Sequence, residues 1–403
     1  MTTRLYYTDA LRFRFDATVR ACEATDGGFA VTLDRTAFYP TSGGQPFDTG
    51  RLGGARVIDV VDREPDEVVH LVDAPLEPGT TVEGEVDATR RFDHMQQHTG
   101  QHVLSAAFER TCGVATTSFH LGAETATIDL AREVSADEVA RAEAEACRVV
   151  FENHPVTVRF VGEAEAADLP LRKESKRTGT LRLVEIADVD LSACGGTHVP
   201  ETGRIGLIAV AGWERFKGAT RVTFVCGGRA RRSHGRLRDV VAAGARVLSV
   251  AGDDLPASVE RLLADTKALQ RQVKRQGEEL AVSRAARSLA EAETSGAVRV
   301  VLRAEPDLDA GGLKALASAI VQTPGCVVVL VGGGGDGAPA PVVAARSADV
   351  GWDAGAWVKA AAAATGGRGG GRPEFAQGGL PAPAATILSL ARADLDERAS
   401  AGA

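Results

Sequence analysis

Cysteine is sparse and scattered in this 403-residue chain: Cys22, Cys112, Cys147, Cys194, Cys226 and Cys326 include no CxxC pair. That excludes a small secreted scaffold held by disulfides and fits a reducing compartment. Long apolar runs are missing as well. The longest, such as Cys326 to Gly332, fall far short of the ~20 residues a membrane-spanning helix needs. The first residues, MTTRLYYTDALRFRF, hold no apolar stretch of a signal peptide. Positive charge is not in excess: 46 Lys and Arg face 54 Asp and Glu, a net charge of -8. Global charge therefore gives no support to general nucleic-acid binding, and any RNA contact has to come from local basic patches. These absences lead us to expect a cytoplasmic protein with no membrane association.

What is present suits a folded chain of several parts. Hydrophobic residues make up 44% and charged residues 25%, enough for sizeable cores in roughly two to four domains. Phe13, Phe15, Ala17 and Val19 fall at period two, as do Phe29, Val31 and Leu33. With further short runs cut by Gly, Pro and Asp, residues 1–88 read as a small β-barrel or sandwich. A helix is expected from Arg90 to about Arg110, stopped by Cys112-Gly113. Ser135 and Glu138 have capping-box spacing and open a second helix that ends before His154-Pro155. Strand-like segments follow at 156–161, 181–186, 205–211 and 220–225, giving an α/β domain over 89–230. Val259, Leu262, Thr266, Leu269, Val273 and Leu280 keep an alternating three-four spacing, so 240–296 reads as a coiled coil or helical hairpin. Residues 297–403, with VRVVL, CVVVLV and the Gly-rich GGRGGGRPEFAQGG, read as a C-terminal α/β domain. The fold class is α+β, multidomain.

The chemistry is concentrated in HTGQH, His98 to His102, and CGGTH, Cys194 to His198. Residues four apart on a helix share a face, so two imidazoles of the first motif can reach one ion. In the second, Gly195 and Gly196 let the backbone bend until Cys194 and His198 point the same way. Three imidazoles and a thiolate suit Zn²⁺ better than Mg²⁺ or Ca²⁺. Each pair alone arises readily by chance; four ligand types in two tight pairs, in a chain with eight histidines, do not. Spacing leaves one choice open, because His94 also lies four residues before His98. On spacing alone, His94/His98 and His98/His102 are equal, and whichever histidine is left over supports the site, faces RNA or sits on solvated surface. A four-ligand site is usually structural, whereas a catalytic one keeps a position open.

Five blocks occur in one order: TAFYPTSGGQPFDTG (Thr36 to Gly50), RFDHMQQHTGQHVLSAAF (Arg91 to Phe108), TTSFHLG (Thr116 to Gly122), CGGTHV (Cys194 to Val199) and KGATRVTFVCGGRA (Lys217 to Ala230). Together they resemble the AlaX alanyl-tRNA editing proteins and the editing domain of alanyl-tRNA synthetase. The C-terminal part is similar to the C-terminal domain of that synthetase, so the likeness covers almost the whole chain, as in the long form of AlaX. The resemblance implies a zinc ion held by His98, His102, Cys194 and His198, and thereby chooses His102 over His94. It implies hydrolysis of the aminoacyl ester of tRNA-Ala mischarged with serine, with glycine as the alternative. It places the family's Gly-rich element at Ser42, Gly43, Gly44 and Gln45, where a plain β-turn is the competing reading. Thr116 and Ser118 become candidates to hydrogen-bond a serine hydroxyl, or are ordinary strand residues. The likeness leaves no stretch for an aminoacylation core. Asp93-His94-Met95 is not a DHH triplet, so phosphoesterase chemistry is not expected.

Two basic clusters could track phosphates, Arg172, Lys173, Lys176 and Arg177, and Arg229, Arg231, Arg232, Arg236 and Arg238. Either is equally readable as a solvated charged face. Arg368 and Arg372 flank the Gly-rich loop and, by the resemblance, could meet the body of a tRNA. The heptad-like stretch could pair two chains into a homodimer or fold back within one. The competing function is a non-catalytic tRNA-binding protein with a structural zinc. A zinc peptidase is disfavoured, because no Glu follows the first His as in HExxH.

Overall fold

The computed structural model describes residues 1–63, 67–172, 179–333 and 338–401. The chain forms two compact units, Met1–Gly244 and Ala245–Ala403.

The first unit opens with β1 (Thr3–Arg4), β2 (Arg14–Thr25), β3 (Gly28–Leu33), β4 (Arg35–Thr36), β5 (Gly50–Leu52), β6 (Ala55–Arg63), β7 (Glu67–Val72) and β8 (Thr81–Val86). Six of these close into a barrel in the order β2-β3-β7-β6-β5-β8. Closure removes the unpaired sheet edges. Along β2 the side chains alternate outside and inside, so Phe15, Ala17 and Val19 meet Val31, Leu33, Phe38 and Val60 in one core. Between β4 and β5 the chain makes a long excursion over residues 37–49, which leaves the barrel and delivers the Ser42–Gln45 turn.

Helix α1 (Ala88–Cys112) starts where the Asp87 carboxylate accepts the N–H groups of Thr89 and Arg90. It stops at Gly113, whose φ of 63° is the left-handed cap that glycine takes without strain. Arg91, fully buried, ties the helix to the barrel through Asp48 at 2.9 Å and the Ala10 carbonyl at 2.8 Å. Strands β9 (Thr116–Leu121) and β10 (Ala126–Leu130) follow, then α2 (Ala136–Glu152). A reciprocal Ser135–Glu138 capping box opens α2, and Asn153 at φ 56° closes it. After β11 (Val156–Val161), the short α3 (Glu163–Ala167), β12 (Leu181–Ile186) and β13 (Asp190–Ala193) come β14 (Ile208–Phe216), β15 (Ala219–Cys226) and α4 (Gly227–Leu248). The sheet β14-β15-β10-β9 and α2 enclose α1 in a core of Met95, Leu104, Phe108, Ile128, Val149 and Phe224. The smaller sheet β11-β12-β13 carries the strand that leads into Cys194.

In the second unit α5 (Leu255–Ala290) is one unbroken helix, so no hairpin turn falls within the heptad-like stretch. It is followed by β16 (Glu293–Ser295), β17 (Val298–Glu305), α6 (Ala310–Ile320), β18 (Cys326–Gly332), β19 (Ala340–Arg346), α7 (Ala354–Thr365), β20 (Arg368–Arg372), β21 (Phe375–Leu380) and α8 (Ala384–Ala401). The sheet order is β16-β17-β18-β19-β21-β20. Strand β18 is buried on both faces, with Val327, Val329 and Val331 toward α7 and α8 and Val328 and Leu330 toward α6. Only the C-terminal end of α5, through Ala281 and Ala285, joins that core. Val259, Leu262, Leu269, Val273 and Leu280 stay exposed. No helix among the described residues is long and apolar enough to cross a membrane.

Candidate metal centre

His98 and His102 stand one turn apart on α1, and Cys194 and His198 on the turn that follows β13. Fold contact between these elements brings one ligand atom from each of the four within 4.8 Å of every other. The Cys194 sulfur lies 3.5 Å from His98 Nε2 and 3.3 Å from His198 Nε2. Glycine is required where the turn crosses the helix: a Cβ on Gly196 would stand 2.1 Å from His98 Cε1.

Each imidazole is aimed by a bond to its other nitrogen. His98 Nδ1 donates to Gln45 Oε1 at 2.8 Å and His102 Nδ1 to Asp190 Oδ2 at 2.7 Å, while His198 Nδ1 pairs with the Thr99 hydroxyl at 3.2 Å. These bonds hold the rings in place and leave their Nε2 atoms near the Cys194 sulfur. The partners are held in turn. Gln45 Oε1 also accepts the Thr197 N–H at 3.1 Å while its Nε2 donates to Thr197 Oγ1 at 2.9 Å. Asp190 accepts from Arg172 Nε at 2.5 Å and Ser192 Oγ at 2.9 Å. Thr99 Oγ1 takes the Val199 N–H at 3.1 Å.

Neighbouring groups move Cys194, His102 and His198 away from their ordinary values. Burial opposes ionisation of the Cys194 thiol, but His98, His198 and a bond from His102 outweigh it and hold the sulfur well below its ordinary range. Burial also opposes a charged His102, yet Asp190 and Cys194 push it up to about 9. His198 goes the other way, to about 3, because burial and the neighbouring His98 outweigh the sulfur's attraction. A thiolate and three imidazoles on one small volume fit a zinc ion.

His98, His102 and Cys194 line a cleft of about 290 Å³; His198 does not. Ser42, Gly43, Thr116 and Ser118 line it; Gly44 and Gln45 do not. Ser42–Gln45 is a tight turn closed by paired backbone bonds of 3.1 and 2.9 Å, with Gly43 and Gly44 at φ 55° and 86°. Its effect is to bury Gln45 completely and seat it on His98. Thr116 donates to Ser105 Oγ at 2.8 Å and Ser118 to Asp129 Oδ2 at 2.6 Å, so both hydroxyl oxygens keep lone pairs.

Other expectations need correcting. His94 is not solvated surface: it is 3% exposed, and it stands outside the four-atom cluster. Arg229 is not a free phosphate contact, since it is buried and grips Asp93 at 2.7 Å. Arg231, Arg232, Arg236 and Arg238 are exposed on α4, and Arg368 and Arg372 on β20. Arg172 is committed to Asp190 at the cleft. Lys173, Lys176 and Arg177 lie outside the described residues. Sequence reasoning missed Asp190, Thr99 and Gln101. A carboxylate four residues before the CGGTH cysteine and a hydroxyl directly after the first histidine are the signals that could have found the first two.

The family described as Threonyl and Alanyl tRNA synthetase second additional domain matches residues 181–223, which hold the Cys194 and His198 half of the centre. The DHHA1 domain family matches residues 293–399. The chain is 36% identical to the alanine–tRNA ligase of Natronomonas pharaonis over 94% of its own length and 42% of the relative's. It is 32% identical to that of Methanosarcina acetivorans over 97% and 44%, and 35% identical to that of Pyrococcus furiosus over 70% and 32%. The C-Ala domain of the Aquifex aeolicus alanyl-tRNA synthetase matches 26% of this chain and 97% of its own at 24% identity, with a TM-score of 0.24, too low to carry a fold over. Residues 181–223 thus carry a second-additional-domain match of the Threonyl and Alanyl tRNA synthetase type, and residues 293–399 a DHHA1 match. More particularly, the chain is similar to the editing and C-terminal regions of alanyl-tRNA synthetase. It spans about two fifths of the length of the curated relatives it matches end to end.

Proposed function

We propose that the chain is a zinc-dependent, trans-acting deacylase of the AlaX type, which hydrolyses the aminoacyl ester of mischarged tRNA-Ala. The convergence of His98, His102, Cys194 and His198 on one point beside a small cleft carries this reading. Zinc, if held by those four residues, would supply Lewis acidity for polarising an ester carbonyl.

The remaining work falls to the protein's own groups. Gln45, Thr99 and Asp190 keep the imidazoles aligned, so no ring has to reorient when the ester arrives. Gly43 lines the cleft with nothing within 4 Å of where a side chain would begin, so a ribose or developing oxyanion can approach its backbone. Thr116 and Ser118 offer acceptor lone pairs to a serine hydroxyl. An alanyl group would leave those acceptors unmatched, which separates serine from alanine. The cleft's size limits entry to a small aminoacyl group and its terminal sugar.

Arg231, Arg232, Arg236 and Arg238, with Arg368 and Arg372, supply exposed positive charge for the tRNA backbone. The reading divides the chain into a barrel part (1–88), an editing part (89–230), a helical linker (240–296) and a C-terminal part (297–403). The exposed apolar row of α5 is the surface on which two copies would pair as a coiled coil. The protein is assigned to the cytoplasm.

Four protein donors, which fill a tetrahedral site, favour a second reading: a structural zinc in a tRNA-binding protein without activity. Deacylation assays with separately charged Ser-, Gly- and Ala-tRNA-Ala decide between them. The first reading expects Ser-tRNA-Ala to be hydrolysed and Ala-tRNA-Ala to be spared. Equal hydrolysis of all three, or none by zinc-loaded protein, contradicts it.

A further inference from the structure

His94 is the one buried side chain of α1 with an orphaned polar atom. Its Nδ1 is fully enclosed and has no hydrogen-bond partner. An orphaned acceptor is tolerated in an interior more readily than an orphaned N–H. The ring's proton therefore sits on Nε2. Burial, helped by Arg90, pushes His94 down to about 4, so the imidazole is neutral at physiological pH. The residue lines a second cleft, of about 360 Å³, with Arg90, Arg229, Arg232 and Asp93.

The charges around this cleft are unequally committed. Asp93 is gripped by Arg229 at 2.7 Å, and Asp87 spends its carboxylate on the first N–H groups of α1. Arg90 makes a single hydrogen bond, Nε to the Phe47 carbonyl at 3.0 Å. Arg232 has only a 3.8 Å approach to Asp93. Two guanidinium groups with spare N–H donors and one imidazole thus line a space whose three arginines outnumber its two carboxylates, Asp87 (bonded through one oxygen) and Asp93. Several convergent donors with a net positive charge match the oxygens of a phosphate.

Position selects the source. His94 lies one turn, ~6 Å along the axis, from His98. The walls of the two clefts are continuous in the chain: Ser42, Gly43 and Phe119 line the metal cleft, while Pro46 and Gly122 line this one. Between them the Gly44 carbonyl accepts the Leu121 N–H at 3.1 Å. We infer that the His94 cleft binds a backbone phosphodiester of the RNA strand whose 3′ end enters the metal cleft. This rests on the reading of that site as one for aminoacyl-tRNA.

The test is binding of an uncharged RNA minihelix with a single-stranded CCA end to the full zinc-loaded chain. The RNA is used intact and with a neutral methylphosphonate placed in turn at each single-stranded linkage. One linkage is expected to weaken wild-type binding about tenfold when neutralised, the loss of one charge-assisted hydrogen bond. His94→Leu and Arg232→Gln should bind the intact RNA about tenfold more weakly and show no added penalty at that linkage. Arg232 has a side chain 59% exposed, so its variant keeps the test open should His94→Leu not fold. Variants that bind like wild type, or a penalty equal in wild type and variants, would overturn the inference. So would inorganic phosphate shifting the His94 ring resonances as the RNA does while every neutral linkage is tolerated, which marks a free-phosphate site. Because the RNA is uncharged, the linkage effect without hydrolysis of any aminoacyl-tRNA fails the functional reading and leaves this one standing. Hydrolysis without the linkage effect does the reverse.

Discussion

Helices α1 and α5 reverse the usual relation between polarity and burial. In α1, Arg91, Gln97, His98, Thr99, Gln101, His102 and Ser105 are all buried. In the longer α5 only Ser258, Ala281, Ala285 and Ser288 are buried, while Leu262, Leu269 and Val273 face outward. Buried polar groups are tolerated only when satisfied. In α1 all but His94 are: Gln97 exchanges two bonds with the backbone of Cys226, and Gln101 donates to Ser105. The difference teaches that α1 is built around a site and α5 around a surface.

The contrast breaks first at the metal ligands. His98→Ala removes one of four ligand atoms and should cost more than about a hundredfold in zinc affinity, beyond the range for losing a supporting partner. His94→Ala, one turn away, should keep stoichiometric zinc. Metal analysis after dialysis against a weak chelator checks both, and a zinc-free His94→Ala protein would undo the ligand assignment. Asp190→Asn should be smaller, about ten- to hundredfold in zinc affinity, since it removes the charge that orients His102 without removing a ligand. Competition with a chromophoric chelator measures it. The smallest effect belongs to α5. Leu269, 61% exposed, should tolerate replacement by Lys within about 0.5 kcal/mol in a monomer. A larger fall in thermal stability that grows with protein concentration would show the apolar row to be covered by a second copy.

How much of this was legible follows from which interactions are local. The Ser135–Glu138 capping box and the Gly113 stop of α1 are written in neighbouring residues, and the structure shows both. The start of α1 was read two residues late because the Asp87 cap precedes the apolar pattern. Ligand types and four-residue spacings pointed to His98, Cys194 and His198, but His94 and His102 are equivalent by spacing. Only the seat of β13 against α1 decides, and that is tertiary. The same holds for Asp190, which meets His102 across 88 positions, and for Asp93, which takes Arg229 out of the basic cluster across 136. Gln45 sat inside a recognisable Gly-rich block, yet nothing local says that the turn buries it against His98. For α5 the three-four spacing announced a helix but not what, if anything, covers its apolar row.

X-ray absorption at the zinc edge of the purified, zinc-loaded chain tests the centre most directly. The account predicts one sulfur at about 2.3 Å and three imidazole nitrogens at about 2.0–2.1 Å, with the sulfur shell lost in Cys194→Ser and the whole spectrum unchanged in His94→Ala. A shell of oxygen and nitrogen alone in the unsubstituted protein would contradict it.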